Sequence, residues 1–175
     1  MLIDEVAEAF AELKQQGKVK AFGVSNFGWP QLQLLQSVLP EPLVANQLQM
    51  SLNDFNYLEQ NVLTAMPEGA AHHYSYGTVE YCQLHKVQLQ AWGSLAQGLF
   101  SGGRKPETAA QQATAALVAQ LAADYQTSAE AIVLAFLLKH PAGIQPVIGT
   151  TSPARIAACQ KALAVHLSRE HGLSE

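Results

Sequence analysis

Positive charge is sparse in this 175-residue chain: ten Lys and Arg stand against fourteen Asp and Glu, for a net charge of −4. No basic run or patch is present, which argues against nucleic acid as a partner. Cysteine is nearly absent. Cys82 and Cys159 lie far apart and form no CxxC pair, so a reduced, cytoplasmic compartment is the simplest reading. Long apolar runs are missing too. The longest, Ala131 to Leu138, falls far short of the ~20 residues of a membrane span and is expected to be a buried helix. The N-terminus, Met-Leu-Ile-Asp-Glu, lacks the basic start of a signal peptide. No G-x-G-x-x-G turn exists, so a Rossmann mode of nucleotide binding has no support. Ser25 has neither a G-x-S-x-G elbow nor a placed His, so a hydrolase triad has none either. His72 and His73 are adjacent and have no carboxylate or Cys spaced for zinc; a solvated loop is expected there, and no metal.

What is present fits a folded domain. Hydrophobic residues make up 49%, enough for a core in a chain of this length. No linker divides residues 1–175, so a single domain is expected. Asp4 to Gln16 reads as an amphipathic helix with Val6, Phe10 and Leu13 on one face and Gly17 just past its end. A strand is expected over Val19 to Val24, a helix over Pro30 to Leu39 and a strand over Val44 to Met50. Ser51 to Gly77 reads as long loops around one short helix. Thr78 to Lys86 is predicted as a helix with Val79, Cys82 and Leu84 as its apolar members, and Val87 to Trp92 as a strand. Thr108 to Tyr125 is predicted helical, and Ser128 caps a further helix reaching about His140. Val147 and Ile148 read as a short buried strand. Ser152 is placed to cap a last helix with Pro153 at its first position, ending near Leu163. Strands thus alternate with helices four times, which predicts an α/β fold with a parallel sheet.

In such folds ligands gather at the C-terminal ends of the strands. Those ends carry Ser25 and Asn26, Gln47, Trp92-Gly93-Ser94, and Gly149-Thr150-Thr151. The last of these leads into a helix N-terminus, where free N–H groups and the positive dipole end favour a phosphate. Arg155 adds a permanent cation in the first helical turn, where a cation is unfavourable for the helix itself. An ordinary capped turn with a solvated Arg is the plainer alternative. Amide side chains, one large aromatic and one phosphate site together suit an amide-bearing ring joined to phosphates, which describes a nicotinamide dinucleotide.

Four stretches carry a resemblance. Gly17-Lys-Val-Lys-Ala-Phe-Gly-Val-Ser-Asn-Phe27 is similar to the strand-five segment of the aldo/keto reductases, and Ala45-Asn46-Gln47 to their strand six. Ala91-Trp92-Gly93-Ser94-Leu95-Ala96-Gln97-Gly98 resembles their strand-seven turn, and Val147 to Arg155 their strand eight with its following helix. The four occur in family order across almost the whole chain, and the chain most resembles the bacterial general oxidoreductases with a Trp after strand seven. The resemblance implies the second half of a (β/α)8 TIM barrel, a partial domain whose N-terminal half is absent, and an NADPH-dependent oxidoreductase that reduces small-molecule carbonyls. It implies that Ser25, Asn26 and Gln47 bond the nicotinamide carboxamide and that Trp92 stacks on the ring. Gly93, Ser94, Leu95, Gln97 and Gly98 would wrap the pyrophosphate, with Gly149, Thr150, Thr151 and Arg155 on the adenosine 2′-phosphate. Cys159 stands where the family commonly has an Asn that meets the adenine. The family's catalytic Asp, Tyr, Lys and His come from the first half of the barrel, and Tyr57, Tyr74, Tyr76, Tyr81 and Tyr125 lie in no matching context, so no catalytic residue is assigned. An open half-barrel face is expected to mean a fragment or truncated gene product, or a chain that pairs with another copy of itself or with a missing first half. A non-catalytic NADP-binding or interaction module, or an inactive truncated gene product, is the alternative reading.

Overall fold

The computed structural model describes residues 3–63, 65–71 and 75–168. The elements run α1 (Ile3–Gln15), β1 (Gly23–Ser25), α2 (Trp29–Gln36), β2 (Ala45–Gln49), α3 (Asn56–Val62), α4 (Thr78–Leu84), β3 (Gln88–Trp92), α5 (Ala109–Asp124), α6 (Ala129–Leu138), β4 (Gln145–Pro146) and α7 (Pro153–Gln160). Short 3-10 turns occupy Pro67–Ala71, Ala96–Gly98 and Lys161–Ala164. The strands are hydrogen-bonded in the order β1-β2-β3-β4. β1 runs parallel to β2, with Gly23 opposite Ala45 and Ser25 opposite Gln47. The expected α/β fold with a parallel sheet is therefore present. The chain forms two compact units, one of Met1–Leu48 with Asn56–Gln90 and one of Gln49–Phe55 with Ala91–Glu175.

In the first unit, α1 ends as predicted. The Lys18 N–H donates to the Leu13 carbonyl at 3.1 Å and the Gly17 N–H to that of Lys14 at 2.8 Å. This double closure needs a left-handed residue, and Gly17 takes it with φ +67°. α1 buries no residue completely, although Phe10 stacks on Phe22 with ring centroids 3.9 Å apart. α2 is shorter than predicted. The Gln36 side chain donates to the Glu41 carbonyl at 2.9 Å and accepts from the Leu43 N–H at 2.8 Å, folding the following loop back where another helical turn would have run. α2 buries Leu32 and Leu35. β1 begins four residues later than predicted, because pairing with β2 starts only at Gly23. In α4, Val79 and Cys82 are buried, but Leu84 is 78% exposed and is not a core member. The segment between β2 and α4 holds a 3-10 turn besides its one α-helix. His72, His73 and Tyr74 lie outside the described residues. On β2, Asn46 and Leu48 are buried while Ala45 and Gln47 are half-buried. The partly open face carries amides, since the Gln47 amide donates to Gln90 Oε1 on β3 at 3.0 Å.

In the second unit α5 and α6 start where expected, α6 at its predicted cap. Thr108 Oγ1 accepts from the Gln111 N–H at 3.1 Å, and Ser128 Oγ from the Ala131 N–H at 3.2 Å. α6 is the core of this unit. Ala131, Ile132, Val133, Leu134, Ala135 and Leu137 are all buried, and the large aliphatics among them contribute roughly 1.5–3 kcal/mol each. Among the described residues no single helix is long and apolar enough to cross a membrane. β4 is displaced from its predicted place. It spans Gln145–Pro146, and Val147 and Ile148 fall beyond it. The Val147 N–H still reaches the Ala91 carbonyl at 2.9 Å, but the Val147 carbonyl accepts the Ser94 hydroxyl at 2.8 Å, so a side chain takes the acceptor a continuing ladder needs.

Both cysteines are free and buried. Burial pushes the Cys82 thiol up to about 11, against the opposing pull of a hydrogen bond with Asn46. Since the thiolate is the reactive form, neither thiol of the folded chain should react with an aromatic disulfide reagent at pH 8. Both should titrate once urea unfolds the chain. Prompt modification of the native chain would contradict this burial.

Candidate functional site

The second unit contains a cavity of about 400 Å³, within the range of ligand pockets. Two segments build most of it. The first is the turn that follows β3. Gly93 takes φ +67°, and Ala96, Gln97 and Gly98 follow with φ +47°, +57° and +79°. Left-handed backbone at two successive non-glycine residues is strained and persists only where the surroundings fix it. Here the Gly98 carbonyl accepts the N–H groups of Ser101, Gly103 and Arg104. A Cβ on Gly98 would lie 2.8 Å from the Gly103 Cα, so the loop closes only because both residues lack side chains.

The second segment leads into α7. Ser152 occupies the N-cap position with extended backbone, but its side chain makes no cap hydrogen bond. Its own N–H donates instead to Thr150 Oγ1 at 3.2 Å. The expected cap is thus right in place and different in bonding, and the first N–H groups of α7 receive no bond from the Ser152 hydroxyl. Arg155 stands exposed in the first turn, and among the described residues no carboxylate pairs with it.

Of the residues named from the sequence, Trp92, Gly93, Ser94, Leu95, Gln97, Gly98, Gly149, Thr150 and Arg155 line this one cavity. Thr151 does not. Ser94 is 1% exposed and its hydroxyl is engaged by Val147, so it shapes the turn from beneath. Ser101, Gly103, Glu130 and Val147 also line the cavity without having been singled out. Val147 reads as core strand, and Glu130 as an acid favoured at a helix start. Gly149 is informative because nothing in the protein requires it. Its φ is not in the left-handed region, and a Cβ built on it meets no atom within 4 Å. Gly149 is exposed and lines the cavity.

Ser25, Asn26 and Gln47 belong to the first unit, where the structure brings them together at the ends of β1 and β2. The Ser25 hydroxyl donates to the Gln47 carbonyl at 3.0 Å, and the Asn26 N–H donates to the same oxygen at 2.9 Å. Asn26 is left-handed, with φ +57°, a conformation Asn tolerates better than most residues. Two further residues support this tip. Gln90 holds the Gln47 amide. Asn46, fully buried, grips the next peptide: its Nδ2 donates to the Phe27 carbonyl at 2.8 Å, and its Oδ1 accepts the Phe27 N–H at 3.4 Å. Gln90 does not stand out in the sequence, and Asn46 does so only as a member of the Ala45-Asn46-Gln47 stretch, because a buried strand amide and a solvated one read alike.

The sequence profile of the aldo/keto reductase family matches residues 2–171. An uncharacterized oxidoreductase of Bacillus subtilis, YcsN, is 35% identical over 94% of this chain and 49% of its own length. A 6-dehydroglucose reductase of Agrobacterium fabrum is likewise 35% identical, over 95% of this chain and 49% of its own length. The chain spans about half the length of the curated relatives it matches. Among solved structures, the thermostable aldo-keto reductase Tm1743, crystallised with the inhibitor epalrestat, superposes with a TM-score of 0.72 at 22% identity, over 98% of this chain and 53% of that one. An aldo-keto reductase of Klebsiella pneumoniae in complex with NADPH gives 0.72 at 21% identity, over 97% of this chain and 51% of that one. By the extent of the profile match and the agreement of fold, the chain belongs to the aldo/keto reductase family.

Proposed function

We propose that this chain is the nucleotide-holding half of an NADPH-dependent oxidoreductase that reduces small-molecule carbonyls, built as strands five to eight of a (β/α)8 TIM barrel and acting in the cytoplasm. The observation that carries this reading is the cavity of the second unit, where nine residues named from the sequence meet at a helix N-terminus, among them Arg155, which has no ion-pair partner among the described residues. The fit to a dinucleotide rests on chemistry already described. Left-handed backbone and glycines let a pyrophosphate approach closely. Arg155 and Thr150 suit a 2′-phosphate, with Thr151 beside them in sequence. Trp92 offers a flat apolar face for an aromatic ring. Ser25, Asn26 and Gln47 carry hydrogen-bonding groups of the kind a carboxamide needs. When bound, the nicotinamide supplies the hydride; no residue of this chain is assigned as proton donor. An NADPH complex of a Klebsiella pneumoniae neighbour and relatives described as oxidoreductases agree with this reading. Self-association through an open barrel face belongs to the same proposal.

Gly149 gives the test. Adding NADPH to the chain should quench tryptophan fluorescence saturably. Gly149→Val should leave the thermal midpoint unchanged, because its side chain enters open space, yet abolish the quench by filling the cavity. Absence of saturable quenching in the unaltered chain contradicts the reading, as does undiminished quenching in the variant. Carbonyl-dependent loss of NADPH with this chain alone should be undetectable, and measurable turnover would overturn the view that the proton donor lies elsewhere.

A further inference from the structure

The cavity of the second unit carries one charge of each sign. Arg155 lines it from the first turn of α7, and Glu130 from the first turn of α6. Among the described residues neither is ion-paired. The start of α6 is held against the last turn of α7, where the Ser128 hydroxyl donates to the Ala158 carbonyl at 2.9 Å. The next residue, Cys159, is buried, and its thiol is raised first by that burial and second by the Glu130 carboxylate. The first turn of α6 therefore lies against the last turn of α7, and its Glu130 borders the cavity. An ionised carboxylate only accepts hydrogen bonds, and beside a ligand bearing phosphates it is repelled unless a donor faces it. Arg155 meets the anionic part of such a ligand, and Glu130 calls for a donor at the same end.

We infer that Glu130 accepts a hydrogen bond from the exocyclic 6-amino group of adenine, so that the cavity reads the base as well as the phosphates; the inference rests on the dinucleotide reading above. The carboxamide donors lie at the opposite end of the ligand from the phosphate taken by Arg155. The 2′-phosphate removes one of the two ribose hydroxyls nearby. The other hydroxyl has a single O–H to give, whereas the amino group has two N–H bonds and is the donor that the base itself offers.

Binding of NADPH and of its hypoxanthine analogue, in which an oxo group replaces the 6-amino group, is measured by calorimetry on the unaltered chain, Glu130→Ala and Glu130→Gln. The unaltered chain should prefer NADPH by about tenfold, the gain of one hydrogen bond to a charged acceptor. Glu130→Ala should bind the two equally, and Glu130→Gln, which keeps a neutral acceptor, should fall between. The ratio of the two affinities on one sample is insensitive to partial loss of folded chain. A preference that survives Glu130→Ala, or no preference in the unaltered chain, overturns this inference and leaves the dinucleotide reading standing. Failure of the unaltered chain to bind either nucleotide overturns both.

Discussion

Reversing the charge at Arg155 should weaken NADPH binding by about 100-fold and leave NADH binding nearly unchanged. The two nucleotides differ only in the 2′-phosphate, so a residue that holds this group acts on one and not on the other. A guanidinium meets phosphate with paired, charge-assisted hydrogen bonds worth roughly 1.5–3 kcal/mol each, and Arg155→Glu adds repulsion to their loss. A factor of 100 corresponds to about 2.7 kcal/mol, well inside that range. The fold should tolerate the change. Arg155 is exposed and unpaired among the described residues, and a carboxylate at a helix start is favoured over a cation. The thermal midpoint should therefore hold or rise slightly. Equal weakening of NADH and NADPH would place Arg155 on a part of the ligand common to both and defeat the 2′-phosphate assignment.

The largest stability effect is expected at Asn46. Its side chain is fully buried and satisfies both polar groups of Phe27, besides bonding Cys82. Asn46→Leu keeps the branching of the side chain, adds some bulk and removes every one of these bonds. The Phe27 N–H and carbonyl lose their partner in a partly buried setting, at about 1–3 kcal/mol each for groups left unsatisfied. Some relaxation toward solvent is open to them, so a loss of about 2–4 kcal/mol is expected, large against the total stability of a small unit. Asn26 immediately precedes Phe27 and holds a left-handed backbone, so the tip of β1 should loosen before the rest of the unit opens. Urea unfolding reads the first effect and amide exchange at Asn26 and Phe27 the second. A stability change within 0.5 kcal/mol, the range of ordinary surface substitutions, would show that Asn46 does not hold this turn.

How far the sequence reveals the site depends on which signals are local. Ser128 announces its helix because a cap acts within four residues, and Gly17 marks the end of α1 for the same reason. The turn after β3 and the start of α7 are legible because glycines, hydroxyls and Arg155 form dense local patterns. The shift of β4 is not legible, since it depends on Ser94 reaching the Val147 carbonyl from 53 residues away. The early end of α2 depends on one side chain, Gln36, whose bonds return from a loop. Leu84 follows helical spacing and still faces solvent, because periodicity gives a face without saying what covers it. Gln90 and Glu130 reach their places only through tertiary packing.

The central claim is that the second-unit cavity receives a phosphorylated nicotinamide dinucleotide, and a crystal structure of the chain grown with NADP+ tests it most directly. The predicted result is nucleotide density along the turn after β3, with the 2′-phosphate within about 3 Å of the Arg155 guanidinium. Nucleotide bound at another surface, with solvent alone filling the cavity beside Gly149, would contradict it.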